Sequence, residues 1–228
     1  MHVSTPSYVS PYVIAQVLFV LMAASAAFAA DAGVSKLLKA VEKRYNSAKT
    51  LTVSFEETYK MQGRTRTEAG NLYLRKPGRM RWQYTRPAGK LFVSDGKNVY
   101  FYSSDTNRAE KMKLKETDDM RAPMAFLLGR LDFDKDFGKY QSRQDASGVF
   151  ITATPRNDKM PYREVSFLVG ADARIQRLVV TGQDSSVLDF TFANEQPNAA
   201  VADSLFQFIP PKGAEWVDSS AETAQGAR

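Results

Sequence analysis

The chain has 228 residues, with 31 Lys and Arg against 25 Asp and Glu, a single histidine and no cysteine. Without cysteine there is no disulfide, no thiolate metal site and no acylated-cysteine anchor, and with the one histidine at His2 the rest of the chain cannot assemble a Ser-His-Asp or Cys-His system. The formal charge of +6 leaves nucleic acids, anionic membrane surfaces and acidic partners to be weighed.

Residues 1–29 contain no Lys, Arg, Asp or Glu, and the apolar run Val13 to Phe28 closes on Ala27-Phe28-Ala29. This A-x-A pattern predicts a signal peptide cleaved after Ala29 and an exported chain. The run is short beside the ~20 apolar residues that a membrane span needs. A retained anchor is the alternative. Val34, Leu37, Leu38, Val41 and Tyr45 then recur at helical spacing, giving an amphipathic helix with one apolar stripe.

Strand patterns follow at short intervals: Leu51 to Met61, Arg64 to Arg75, Arg79 to Tyr84, Lys90 to Ser94, Asn98 to Ser103 and Ala109 to Leu114. The stretch from Gly70 to Pro87 carries five basic side chains, three aromatics and no acid. Its residues sort by parity: Leu72, Leu74, Met80, Trp82 and Tyr84 on one face, Arg75, Arg79, Arg81 and Gln83 on the other. A period of two marks strands with one apolar and one solvated face. Lys76-Pro77-Gly78 and Asp95-Gly96 supply turn chemistry. A module that binds nucleic acid interleaves basic and aromatic side chains on the same face. Segregation to opposite faces therefore argues against a nucleic-acid partner.

The period changes after Leu114. Thr117 precedes Asp118-Asp119 as an N-cap, and Met120, Met124, Leu127 and Leu128 continue at helical spacing, interrupted at Ala122-Pro123. Asp132-Phe-Asp-Lys-Asp136-Phe-Gly138 has the look of a calcium loop. Its sixth position is Phe137 and its twelfth Arg143, where that loop needs glycine and glutamate. A solvated connection with Phe133 and Phe137 turned inward is the expectation, with no metal. Strands resume near Tyr140, Val149, Tyr162, Arg174 and Val187, and Phe206 to Gly213 ends the fold. The domain reading is a signal peptide at 1–29, one domain at 30–217 and a flexible tail at 218–228. About eleven antiparallel strands with two helices leave a large apolar sheet face thinly covered. Two architectures fit: a curved, open sheet enclosing an apolar cavity, or a fully packed β-sandwich.

The run Gly70-Asn-Leu-Tyr-Leu-Arg-Lys-Pro77, then Met80-Arg-Trp82, Leu91-Phe-Val-Ser-Asp-Gly-Lys97 and Val99-Tyr-Phe-Tyr102 resembles the periplasmic outer-membrane lipoprotein carrier family (LolA-like). The resemblance continues through Ala122-Pro-Met-Ala-Phe-Leu-Leu128, Phe206-Gln-Phe208 and Pro210-Pro211-Lys-Gly213. It implies an open, incomplete antiparallel β-barrel under a helical lid. It also implies a carrier of acylated lipoproteins that catalyses no reaction and uses no cofactor. The donor would be an inner-membrane ABC transporter and the acceptor an outer-membrane receptor, with the carrier a periplasmic monomer. On this reading Leu72, Leu74, Met80, Trp82 and Tyr84 form a cavity wall and Met124, Phe126, Leu127 and Leu128 belong to the lid. Lys76 stands where the family usually has an arginine that hydrogen-bonds the lid. Arg75, Arg79 and Arg81 keep the outer face soluble and are candidates for partner docking. A sensor or carrier of another lipid on the same fold is the rival function.

Overall fold

The computed structural model describes residues 33–114, 131–157 and 160–220. The expected signal segment 1–29, the expected helix after Thr117 and residues 221–228 lie outside the described residues. The chain divides into two units, Met1–Lys39 and Ala40–Arg228. Residues 33–39 of the first are helical. The second opens with helical residues 40–47 (α1), in which Val41 and Tyr45 are buried and Lys43 is exposed, as an amphipathic stripe requires.

Among the described residues, the second unit is built on one twelve-stranded sheet. Its first six strands are β1 (Thr50–Met61), β2 (Arg64–Arg75), β3 (Arg79–Arg86), β4 (Ala88–Asp95), β5 (Asn98–Ser103) and β6 (Arg108–Lys113). After the one-turn helix α2 (Phe133–Asp136) come β7 (Phe137–Asp145), β8 (Gly148–Pro155), β9 (Tyr162–Val169), β10 (Ile175–Gly182), β11 (Val187–Pro197) and β12 (Glu215–Asp218). The spatial order is β12-β6-β5-β4-β3-β2-β1-β11-β10-β9-β8-β7. Neighbours run antiparallel except β12, which pairs in parallel with β6. The edge strands β12 and β7 stand at opposite ends of that order, so the sheet is open rather than closed on itself.

Turn chemistry sets the hairpins. Between β4 and β5 the Asp95 carboxylate accepts the backbone N–H groups of Lys97 and Asn98, each at 2.7 Å, and Gly96 takes φ +96°. Gly70 faces Tyr84 across β2 and β3, where a Cβ atom would meet Gln83 O at 2.2 Å; only glycine fits. At Asp132 the side chain caps α2 by accepting Lys135 N–H at 3.1 Å, while Phe133 and Phe137 are buried. The stretch is thus a capped connection with its two phenylalanines turned inward. β12 was not foreseen, and Ser219 N–H still donates to Lys111 O at 2.9 Å, so ordered backbone contacts run past Val217.

Candidate functional site

Register brings one parity of each central strand onto a common face. Leu72 lies opposite Trp82, Leu74 opposite Met80, and Trp82 opposite Phe92. Val53, Phe55 and Glu57 of β1 and Leu188 and Phe190 of β11 extend the row, since Glu57 pairs with Phe190 and Tyr59 with Leu188. The proposed wall residues are all buried: Leu72 and Trp82 at 0% exposure, Leu74 and Tyr84 at 3%, Met80 at 5%. Their centre is aromatic. Trp82 meets Phe55 edge-on at 4.8 Å and Phe190 at 5.7 Å, and Tyr84 meets Phe55 at 5.3 Å. Two polar contacts accompany these ring edges: Trp82 Nε1 donates to Met80 Sδ and the Tyr84 hydroxyl to Glu57, each at 3.4 Å. The structure therefore brings together Leu72, Leu74, Met80, Trp82 and Tyr84. Met124, Phe126, Leu127 and Leu128 lie outside the described residues.

One end of this row is closed by Lys76. Its Nζ donates to Tyr45 O at 2.6 Å and to Asn46 O at 3.4 Å, on the last turn of α1, where a cation meets the negative end of the helix. Burial lowers the Lys76 pKa from its ordinary value. The same turn is fixed twice more. Asn46 donates to Leu131 O at 2.8 Å and accepts Leu131 N–H at 2.7 Å. Tyr45 donates its hydroxyl to Glu195 at 2.6 Å and accepts Ile175 N–H at 3.0 Å. Arg44 completes the group, donating to the same Glu195 carboxylate at 2.6 Å. Burial, then the adjacent Glu195 charge, raise the Tyr45 pKa far above its ordinary range, so it stays a neutral donor.

The opposite face of β2 and β3 is not bare. Arg75 donates to Asp203 and to Val201 O, Arg79 reaches Asp203 at 3.0 Å, and Arg81 reaches Leu205 O at 3.2 Å. The 3-10 turn Asp203–Phe206 packs on β3 and β4, and Arg75 lies over the Phe206 ring at 5.6 Å. Beyond it Phe208 stacks on Tyr100 at 5.3 Å and on Trp216 at 6.3 Å. The three arginines are thus engaged by the chain's own C-terminal segment. Arg79 keeps 42% of its side chain exposed.

Several residues of the face were missed from sequence. Phe55 and Phe190 are apolar positions in the alternation of β1 and β11, and they stand at the centre of the face beside the expected wall residues. Glu57 and Glu68 sit at inward parity and are 4% and 3% exposed, a mismatch that alternation alone could have flagged.

The model of the family "Outer membrane lipoprotein carrier protein LolA" matches residues 46–209. The chain belongs to the outer-membrane lipoprotein carrier family. A relative from Bordetella avium, an outer-membrane lipoprotein carrier protein, is 31% identical over 202 residues, covering 86% of this chain and 93% of its own. Another of the same description, from Chromobacterium violaceum, is 27% identical over 202 residues with the same coverage. Among solved structures, an uncharacterized conserved protein from Thermus thermophilus shares the fold, with a TM-score of 0.52 at 14% identity, over 82% of this chain and 99% of that one. The protein accordingly has a LolA-type lipoprotein carrier role, in a family of carriers rather than enzymes. Among the described residues of the carrier, no helix is long and apolar enough to cross a membrane.

Proposed function

We propose that the carrier works in the periplasm as a monomer. It takes acylated lipoproteins from an inner-membrane ABC transporter and surrenders them to an outer-membrane receptor. The acyl chains lie against the row from Leu74 and Met80 to Tyr84. The observation that supports this is the continuity of that row: five strands contribute to one apolar face whose centre is filled by aromatic rings in edge contact.

The energetics explain why such a carrier is needed. An acyl chain of ~15 methylenes at ~0.8 kcal/mol each costs about 12 kcal/mol to expose to water. Two or three chains on one lipoprotein bring the total to the ceiling of non-covalent affinity, so release into water is too slow to use. The chains must pass from one apolar surface to another by contact. Sequence supports a lid for this purpose at Ala122 to Leu128, with Met124, Phe126, Leu127 and Leu128 facing the chains, and export by cleavage after Ala29.

Native mass spectrometry of the protein purified from its own periplasm tests the reading. The expected species is a one-to-one complex with an acylated lipoprotein, of a mass that also reports a start at Ala30. Free phospholipid or glycolipid as the sole bound species would overturn it in favour of a general lipid carrier.

A further inference from the structure

The end of the apolar row away from Lys76 is polar, and the polarity is internal. Glu57 and Glu68 are directly opposite each other on β1 and β2, on the same face as Phe55 and Leu72, and both are buried. Like charges directly opposite across a ladder destabilise it, and burying them adds the cost of lost hydration. Their partners offset this. Arg66 Nε reaches Glu68 at 3.0 Å, Lys90 Nζ reaches its other oxygen at 2.5 Å, and the Tyr84 hydroxyl donates to Glu57 at 3.4 Å. Lys90 also lies over the Tyr84 ring at 4.4 Å. Apolar side chains of similar volume in such a place are commonly as stable as a buried ion pair or more so. Stability alone therefore does not explain why this end is charged.

A cavity of about 420 Å³ adjoins the cluster, with Arg66, Glu68, Lys90, Phe101 and the hydroxyl-bearing Ser103 and Ser104 in its wall. Phe101 lies opposite Phe92, which lies opposite Trp82, so the cavity is continuous in register with the apolar row. Its volume lies within the range of small-molecule sites. Its donors are cationic: a guanidinium that is engaged through Nε while its side chain stays 60% exposed, and an ammonium held beside a carboxylate. Donors of this kind match neutral carbonyl oxygens, and a further carboxylate would meet Glu68 and Asp105 in the same wall.

We infer that this cavity is a subsite for the ester and amide carbonyls that join the acyl chains to the cargo polypeptide, an inference that rests on the carrier reading above. Hydrocarbon lies along the row; the linker ends it at Lys90 and Arg66. The row alone accepts any chain of suitable girth, whereas the carbonyl subsite distinguishes a lipoprotein from bare hydrocarbon, because only the carbonyls can accept charge-assisted hydrogen bonds from Lys90 and Arg66.

The test uses the mature protein and three fluorescent probes: a tripalmitoyl-cysteinyl-serine peptide, the same peptide with ether-linked hexadecyl chains in place of its esters, and dipalmitoyl phosphatidylglycerol. The unaltered carrier should bind the ester peptide about tenfold more tightly than the ether peptide, the scale of one charge-assisted hydrogen bond. The double variant Glu68→Gln with Lys90→Met, which removes both charges together, should reduce that ratio to about twofold with ether-peptide affinity kept. Arg66→Met, at a largely exposed position, should reduce it partially and provides the same reading if the double variant does not fold. Equal affinity of the unaltered carrier for ester and ether peptides, or a ratio that survives in a folded variant, overturns the subsite. Tighter binding of phosphatidylglycerol than of the ester peptide overturns its assignment to cargo. Failure of the unaltered carrier to bind either peptide overturns the carrier reading itself.

Discussion

The β2–β3 hairpin meets other parts of the chain on both of its faces, and the two contacts are made by opposite chemistry. On the inner face Leu72, Leu74, Met80 and Trp82 are buried among rings from β1 and β11, with few directional bonds. On the outer face Arg75, Arg79 and Arg81 reach a carboxylate and two carbonyls of the C-terminal segment. The first kind of contact is large and tolerant of repacking; each side chain contributes roughly 1.5–3 kcal/mol by leaving water. The second is specific in direction and small in energy, because Asp203 stays 70% exposed and screened by solvent. On the proposed function, a carrier that admits and releases chains on the inner face gains by fixing the outer face with bonds that do not compete for the same apolar surface.

Trp82→Ala should break the comparison most visibly. Removing a fully buried indole is expected to cost about 3–5 kcal/mol, read as a lowered urea midpoint. Arg79→Ala on the outer face should cost under about 1 kcal/mol. Equal losses from the two variants would show that the faces are not held differently.

Lys76 joins the inner face to α1, so its removal tests whether that end of the row acts as a latch. Lys76→Leu loses the charge on Tyr45 O and Asn46 O, worth about 0.3–1 kcal/mol of stability at a helix terminus. The larger expectation is functional. On the proposed function these bonds favour the empty carrier, so the variant should hold cargo more tightly, and handover to receptor-bearing outer membranes should slow several-fold, by roughly the factor that about 1 kcal/mol carries. Lys76→Arg should restore handover, since a guanidinium offers five donors to the same carbonyls. Normal handover by Lys76→Leu leaves Lys76 a helix cap and nothing more.

Asp203→Ala sharpens the outer side. It removes the acceptor shared by Arg75 and Arg79, an exposed group for which a loss of about 0.2–1 kcal/mol is expected. Amide exchange should quicken at residues 201–206 while amides of Leu72 and Trp82 keep their protection. The difference from the unaltered protein should shrink in high salt, where exposed pairs are screened. Quickened exchange on both faces would mean that the outer latch supports the inner row after all.

What sequence revealed of this arrangement follows the range of the interactions. β2 and β5 match their expected bounds, because alternation and the Lys76-Pro77-Gly78 and Asp95-Gly96 turns are local signals. The parity of the three arginines was equally legible. Their partner was not: Asp203 is 128 residues from Arg75, and no local pattern ties them. β12 escaped for the same reason, being four residues long and paired with a strand a hundred residues earlier. At the candidate site the wall residues were readable from parity, whereas Glu57, Glu68 and Lys90 become a group only once the register of three hairpins is known. The acids at inward parity were visible; what they face was not.

The smallest expected effect lies at Asp95, the last residue of β4, in its turn to β5. Burial pushes its carboxyl pKa up, but the N–H groups of Asn98 and Lys97 and the Tyr100 hydroxyl outweigh that and hold it below the ordinary value. A depressed folded-state pKa means that the unfolded chain binds the proton more readily. The stabilisation is therefore complete above the unfolded pKa, near 4, and is lost as the pH falls through the lower folded value. Asp95→Asn keeps the turn's acceptor oxygen and removes the charge, so stability near pH 7 should change by only a few tenths of a kcal/mol. Its denaturation midpoint should fall less steeply than that of the unaltered protein as the pH is lowered from about 5 to 2. Parallel acid profiles for the two proteins would show that the turn is held by backbone geometry, with no contribution from the ionised carboxylate.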